Sequence, residues 1–170
     1  KGIMVQAGGN CGFYVKQYAE LFKKVYTFEP DPLNFFCLNQ NVFSDNVIKL
    51  QCCVGNQNNL VNVSHNPQNV GKNHVLFDDK KYPTLLIDDL GLDACDLIHL
   101  DIEGYEYFAI RGAEKTIDLY KPLIVVEVWD QLNDRFEKNL NTKLNEFLTA
   151  RGYEYITTID EADKVYRYNK

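Results

Sequence analysis

The sequence predicts an α/β fold in which helices cover both faces of a mostly parallel sheet. Short apolar runs alternate along the chain with segments of helical periodicity. The runs are nearly continuous in Val, Ile and Leu, as in strands that are buried on both faces. With 170 residues, 45% hydrophobic and 25% charged, the chain has the size and composition of about one ordinary globular domain.

Each predicted strand is a short β-branched or apolar run that ends at turn residues. The parallel strands are predicted over residues 3–7, 25–29, 47–53, 97–102 and 122–128. Two further runs, 153–159 and 164–168, alternate between polar and apolar residues and are separated by a short connection. This pattern predicts an antiparallel pair at the edge of the sheet.

Helices are predicted where the period changes from 2 to 3.6 residues. The first runs from Phe13 to about residue 24, and a later one, over 105–117, is weakened at Gly112. Asp31 and Pro32 predict a second helix start, because Asp is a favoured N-cap and Pro a favoured first residue. The buried face of that helix is predicted to consist of Leu33, Phe36, Cys37 and Gln40. The last helix is predicted over 135–151, with Gly152 as its C-terminal cap.

Residues of about 55–83 break this rhythm. The segment is rich in Asn and carries short apolar alternations at 60–63 and 75–77. No second core follows it, so we expect an inserted loop or hairpin within one domain that spans residues 1–170.

Charge and cysteine content narrow the class of protein. The net charge of −6 disfavours nonspecific nucleic-acid binding, which needs a basic surface. No apolar stretch is long enough to span a membrane and no export signal is recognisable, so no membrane partner is expected. The five cysteines are odd in number and lack a C-x-x-C pair, which favours reduced thiols in the cytoplasm over disulfides or a zinc site.

Two features at the carboxyl ends of the first two strands predict a nucleoside-containing ligand. The turn from Gly8 to Gly12 joins the first strand to the first helix, where glycines let a ligand approach the backbone and unpaired N–H groups. Glu29 ends the second strand about 20 residues later, the usual place for an acceptor of ribose hydroxyls. Neither a G-x-G-x-x-G fingerprint nor a Gly-Lys-Ser/Thr phosphate loop is present. A cofactor with a ribose but no phosphate is the simplest match, which indicates S-adenosylmethionine.

Four segments of the chain resemble one known family. They are the run from Val5 to Tyr14 (VQAGGNCGFY), Thr27-Phe28-Glu29-Pro30, Asp101-Ile102-Glu103-Gly104 with the following Tyr105-Glu106, and Arg111-Gly112-Ala113. Together with the apolar strand at 122–128 they resemble the FkbM-type family of S-adenosylmethionine-dependent methyltransferases, over roughly residues 2–150. The resemblance implies a three-layer, Rossmann-like class I methyltransferase fold whose seven-stranded sheet has an antiparallel last strand. It also implies methylation of hydroxyl groups, often on sugars or natural products.

The resemblance also implies roles for individual residues. Gly8, Gly9, Asn10 and Gly12 would hold the methionine part of the cofactor, and Glu29, followed by Pro30, would take the ribose hydroxyls. Cys53 and Val54 would pack beside the adenine. The family usually has an acidic residue where this chain has Gln6, which accepts a hydrogen bond but offers no charge to the cofactor's ammonium group.

Asp101 and Glu103 are the predicted catalytic residues, because they end the fourth parallel strand beside the expected methyl group. One would orient the cofactor or acceptor and the other would take the hydroxyl proton. No metal is predicted, since Asp101 and Asp130 without spaced His residues are a weak ligand set.

The favoured function is therefore O-methylation of a small or carbohydrate acceptor. Two other functions fit the same residues: a noncatalytic S-adenosylmethionine-binding module, indicated by Gln6, and a nicotinamide-dependent oxidoreductase, which would use Glu29 in the same way. The oligomeric state has no signal in the sequence.

Overall fold

The computed structural model describes residues 2–64, 73–76, 81–129 and 136–169. Eleven strands lie in these ranges: β1 (Ile3–Ala7), β2 (Lys24–Phe28), β3 (Val47–Leu50), β4 (Cys53–Val54), β5 (Leu60–Val63), β6 (Val75–Leu76), β7 (Tyr82–Leu85), β8 (Leu97–Leu100), β9 (Leu123–Glu127), β10 (Tyr153–Ile159) and β11 (Asp163–Tyr168). The α-helices of these ranges are α1 (Phe13–Leu21), α2 (Pro32–Asn41), α3 (Glu106–Arg111), α4 (Glu114–Tyr120) and α5 (Leu140–Thr149), and Ile87–Leu90 form a 3₁₀ helix.

The central sheet has seven strands in the order β10-β11-β9-β8-β1-β2-β3. The five strands from β9 to β3 are mutually parallel, whereas β11 is antiparallel to both β9 and β10. Ala7 pairs with Phe28 on one side and Leu100 on the other, so the carboxyl ends of β1, β2 and β8 lie side by side. The predicted class I methyltransferase sheet, with its antiparallel last strand, is confirmed.

Helices cover both faces of this sheet. The larger buried cluster joins alternate strand residues, such as Ile98 and Leu100, to side chains of α3, α4 and α5, including Ile110 and Leu148. His99 points to the opposite face, because neighbouring strand residues alternate. There the hydroxyl of Tyr18 on α1 lies 3.1 Å from His99 Nδ1. The three predicted layers therefore exist.

The start of α2 follows the prediction, but its buried face does not. The Asp31 carboxylate accepts hydrogen bonds from the N–H groups of Leu33 and Asn34, both at 2.9 Å, and Pro32 is the first helical residue. The buried face predicted for this helix is wrong: Leu33 is 64% exposed and Phe36 60% exposed. Asn34 and Leu38 are buried instead.

The single strand predicted over 47–53 is also wrong. β3 ends at Leu50, and the chain bends at Cys52 into β4, which leaves the central sheet. β4 pairs in parallel with β7 in a second, four-stranded sheet of order β4-β7-β5-β6. The strands of the Asn-rich segment, β5 and β6, pair antiparallel, with Val63 opposite Val75.

Among the described residues, no helix combines the length and hydropathy needed to cross a membrane.

A glycine contact fixes the helical side of the sheet to this second sheet. Gly112, between α3 and α4, has φ −79°, which any residue adopts, but a Cβ there would lie 1.9 Å from the carbonyl oxygen of Gly55. Gly55 directly follows β4, and its N–H donates to the Leu85 carbonyl at the end of β7. The absence of a side chain at Gly112 thus lets the α3–α4 junction rest on the end of both strands.

We predict that Gly112→Ala destabilises the protein by about 2 kcal/mol through this overpacking. For a chain of this size the melting temperature would fall by roughly 4–8 °C. Gly91→Ala is the matched control, because nothing lies within 4 Å of its Cβ position and only its φ of +61° opposes the change, at a cost of about 1 kcal/mol. Equal melting temperatures for the two variants would contradict the prediction.

Candidate functional site

The turn after β1 brings backbone, not side chains, to the carboxyl edge of the sheet. The N–H groups of Gly8 and Gly9 both donate to the Phe28 carbonyl, at 3.1 and 2.9 Å. Gly8 has φ 91°, and a Cβ there would lie 2.0 Å from the carbonyl oxygen of Asp101. Only glycine fits this position, because both the dihedral angle and the space exclude a side chain.

Glu29 connects this turn to the start of α2. One carboxylate oxygen accepts the Asn10 N–H at 2.7 Å, the other accepts the Asp31 N–H at 2.9 Å, and the Asn34 side chain is a third partner. Burial raises the pKa of Glu29. Since a carboxylate offers about four acceptor positions, Glu29 retains capacity for a ligand hydroxyl.

A cleft with about 650 Å³ of empty space, part of it open to solvent, lies against these residues. We call it the first cleft. Seven of the predicted cofactor residues line it: Gly8, Asn10, Glu29, Pro30, Cys53, Val54 and Asp101. The bend that moves β4 out of the central sheet is what places Cys53 and Val54 in this wall.

Three predicted cofactor residues do not line the first cleft. Gly9 and Gly12 face α2, where their Cβ positions would lie 3.3 and 2.9 Å from the Leu38 side chain. Gln6 is buried, and its side-chain oxygen accepts a hydrogen bond from the Thr27 hydroxyl at 2.5 Å. It lines a neighbouring cleft instead.

Several residues that line the first cleft were not predicted from the sequence to belong to the site. Val63 and Val75 of the second sheet and Tyr105 line it, and these three form a small core with Cys53. Their apolar alternation was recognisable, but a sequence does not show that an inserted hairpin folds back over the end of β2. The second sheet therefore supplies an apolar wall opposite Glu29.

The second cleft, of about 1020 Å³, lies on the other side of Gly8 and Asp101, which line both. Its other lining residues come from β1, α1, β8, β9 and the β10–β11 hairpin: Gln6, Tyr14, Tyr18, Leu97, His99, Val125, Glu127, Ile159, Asp160 and Asp163. Burial lowers the pKa of His99. The Asp101 side chain is thus at the junction of the two clefts.

Asp101 is an unusual acid. Solvent reaches its side chain at the junction, yet the surrounding protein reduces its hydration. This desolvation, and next the negative charge of Glu127, raise the pKa of Asp101 to about 8. The two carboxyl groups also hydrogen-bond to each other, and Glu127 accepts a further bond from the Trp129 indole at 2.8 Å. Asp101 is therefore poised to exchange a proton near neutral pH.

Glu103 stands next to this pair. It has φ 56° in the turn after β8, and its carboxylate, with those of Asp101 and Glu127, contributes oxygens that all lie within 4.8 Å of one another. Such spacing is compatible with a cation, although acidic groups of this kind are common without one. Asp130, the other residue weighed as a metal ligand, lies outside the described residues.

Comparison with known proteins identifies the family. A family model described as the methyltransferase FkbM domain matches residues 6–155. The chain belongs to this family. No curated protein sequence matches it significantly.

Solved structures show the same fold as this FkbM domain. Methyltransferase FkbM from Methylobacillus flagellatus KT aligns with a TM-score of 0.64 and 23% identity, over 99% of this chain and 44% of that one. A ribosomal protein L11 methylase from Lactobacillus delbrueckii subsp. bulgaricus gives 0.60 and 12%, over 99% and 72%. A putative methyltransferase from Streptococcus mutans, SMU.1697c, solved in complex with SAH, gives 0.59 and 11%, over 98% and 86%. The chain thus spans less than half the length of the FkbM structure.

Glu106 supports the turn that follows β8, and it was not among the site residues predicted from the sequence. It is 1% exposed, and one carboxylate oxygen accepts the N–H groups of Ile102 and Gly104, at 3.0 and 3.2 Å. The other oxygen has no hydrogen-bond partner among the described residues. Burial raises the pKa of Glu106 to about 8, so this FkbM domain holds its Asp101–Gly104 turn with a carboxyl group that is mostly protonated at neutral pH.

We predict that Glu106→Gln weakens the pH dependence of stability. The folded-state pKa lies above the ordinary value of 4.5, so the folded protein binds the proton more firmly than the unfolded chain. Stability from this group is therefore highest below pH 4.5 and is lost as the pH rises to about 8. Between pH 5 and 8.5 the melting temperature of the Gln variant should fall by roughly 8–15 °C less than that of the wild type.

Thermal melts across this pH range test the prediction, and Glu146→Gln, on the exposed surface of α5, is the control that should follow the wild type. Parallel curves for Glu106→Gln and wild type would show that Glu106 is ionised at neutral pH.

Proposed function

We propose that this FkbM domain binds S-adenosylmethionine in the first cleft and transfers its methyl group to a hydroxyl of a small acceptor in the second. The observation that carries the proposal is Glu29, which is buried beside the glycine turn, lines the first cleft and retains acceptor capacity. The family match supports methyl transfer, and the SAH complex of SMU.1697c supports the choice of cofactor.

The residues of the first cleft fit the parts of this cofactor. Glu29 would accept hydrogen bonds from the ribose hydroxyls, and Cys53 and Val54, with the apolar side chains of the second sheet, would contact the adenine. The methionine part would lie along the backbone of the turn at Gly8, next to Asp101, which also lines this cleft. Gln6 brings no charge, so we assign the electrostatic attraction of the ammonium group to Asp101, because a cation beside this carboxyl group would favour its ionised form.

The chemistry of transfer needs alignment and a proton acceptor. The bound cofactor supplies a methyl group made electrophilic by its sulfonium. The chain must hold the acceptor oxygen in line with the methyl–sulfur bond, and the two clefts meet at Gly8 and Asp101, which line both. A carboxylate must take the hydroxyl proton as the new C–O bond forms and the C–S bond breaks. We assign orientation and proton acceptance to Asp101 and Glu103, with Glu127 sharing the proton.

Glu29→Gln is expected to weaken the binding of S-adenosylhomocysteine at least about tenfold, because the amide nitrogen accepts no hydrogen bond and also faces a backbone N–H. Titration calorimetry measures this. Asp45→Asn, which removes one exposed carboxylate before β3, is the control and should bind as the wild type does.

The same titration separates the proposal from its alternatives. Heat from NAD but not from S-adenosylhomocysteine would indicate an oxidoreductase. Binding without methyl transfer to any hydroxylated acceptor would indicate a noncatalytic module.

Asp101→Asn is expected to lower kcat by about 10²–10⁴-fold, the usual contribution of a positioned proton acceptor. The measurement is methyl transfer as a function of pH, with an acceptor found by screening hydroxylated small molecules. The wild-type rate should rise as the pH approaches 8, where Asp101 loses its proton. Full turnover in both Asp101→Asn and Glu103→Gln would remove these residues from the mechanism.

A further inference from the structure

We propose that the acceptor carries a positively charged amino group in addition to the hydroxyl that is methylated. This inference rests on the proposed function and specifies the substrate class of the second cleft. It depends on the charges that line this cleft, on their positions relative to the first cleft, and on the aromatic and apolar groups among them.

The charged side chains of the second cleft are all acidic. Asp101, Glu127, Asp160 and Asp163 line it, and neither Lys nor Arg occurs among its described lining residues. His99 does not compensate, because burial lowers its pKa and favours the neutral ring. An anionic acceptor, such as a sugar phosphate, would face these acidic side chains and would find no Lys or Arg among the described lining residues.

The sheet topology concentrates these charges. β11 runs antiparallel to β9, so Asp163 at its start lies directly opposite Glu127 at the end of β9. Burial, and next the charges of Glu127 and Asp160, raise the pKa of Asp163. The Asp163 charge also contributes, after burial, to raising the pKa of Tyr18 to about 12. A cation in this cleft would relieve the mutual repulsion, whereas a neutral polyol would leave it in place.

The remaining walls suit a small organic cation. Tyr14 and Tyr18 on α1 provide aromatic rings, which attract cations at their faces. Val125 and Ile159 provide apolar surface for the carbon skeleton. A cleft lined by acidic, aromatic and apolar groups matches an amino alcohol or an amino sugar.

The methyl donor also carries an ammonium group, but it does not account for the whole acidic wall. Asp101 lines both clefts and is available to the donor, whereas Asp160 and Asp163 belong to the β10–β11 hairpin and line only the second cleft. We therefore assign Asp160 and Asp163 to the acceptor as specificity-determining residues.

The test is a screen of hydroxylated acceptors in charge-matched trios, such as glucose, glucosamine and glucose 6-phosphate, with S-adenosylhomocysteine formation as the readout. We expect transfer to amino members, with kcat/KM at least about tenfold above the neutral member, and none to phosphorylated members. Equal or better transfer to a neutral or phosphorylated member would overturn the inference, as would a protein that binds S-adenosylhomocysteine but accepts no amino member.

Variants of the hairpin identify the residues responsible. Asp160→Asn and Asp163→Asn should each raise KM for the amino member about tenfold and narrow its advantage over the neutral member, while Asp45→Asn leaves the preference unchanged. The dissociation constant of S-adenosylhomocysteine, measured on the same variants, shows whether the hairpin serves the donor. If it rises as much as KM, the acidic wall belongs to the donor and the inference is wrong. If the wild type does not bind S-adenosylhomocysteine, the proposed function itself fails.

Discussion

The site depends on the close approach of two backbones at the carboxyl edge of the sheet. The Asp101 N–H donates to the Ala7 carbonyl at 3.1 Å, and the Gly8 that follows leaves no room for a Cβ against the Asp101 carbonyl. Because of this contact, the ends of β1 and β8 meet without a side chain between them. Asp101 then lies at the junction of two clefts, and Asn10 comes within reach of Glu29, which directly follows β2. A residue with a side chain at position 8 would push the ends of β1 and β8 apart, and both clefts would change as a result.

Sequence patterns were sufficient to predict the central sheet and the start of α2. Apolar runs between turn residues identified the parallel strands, since strands buried on both faces leave a strong signal. The alternating runs at the end of the chain likewise identified β10 and β11, which are half-exposed at the sheet edge. Asp31 and Pro32 located the start of α2 because capping depends on local chemistry alone. The carboxyl-end rule then brought Gly8, Glu29 and Asp101 to one side of the sheet.

The errors arose where a residue is placed by the site rather than by hydrophobicity. Periodicity assigned Leu33 and Phe36 to the buried face of α2, but Asn34 occupies that face and bonds to Glu29. When a polar residue is buried because it contacts the site, the hydrophobic periodicity no longer identifies the buried face of the helix. The bend at Cys52 is similar, because the mainly apolar segment 47–53 carries no turn residue at the change of sheet. Glu106 went unrecognised because no sequence pattern separates a buried, protonated glutamate in a first helical turn from an exposed one.

The antiparallel return of β11 has an evolutionary consequence. The walls of the first cleft come from residues 7–105, whereas Glu127, Ile159, Asp160 and Asp163 of the second come from the C-terminal part of the chain. Substitutions at the tip of the terminal hairpin can therefore change the lining of the second cleft while the first cleft keeps its shape. Related domains could therefore vary one cleft through a few neighbouring residues of a terminal hairpin, without altering the residues that line the other.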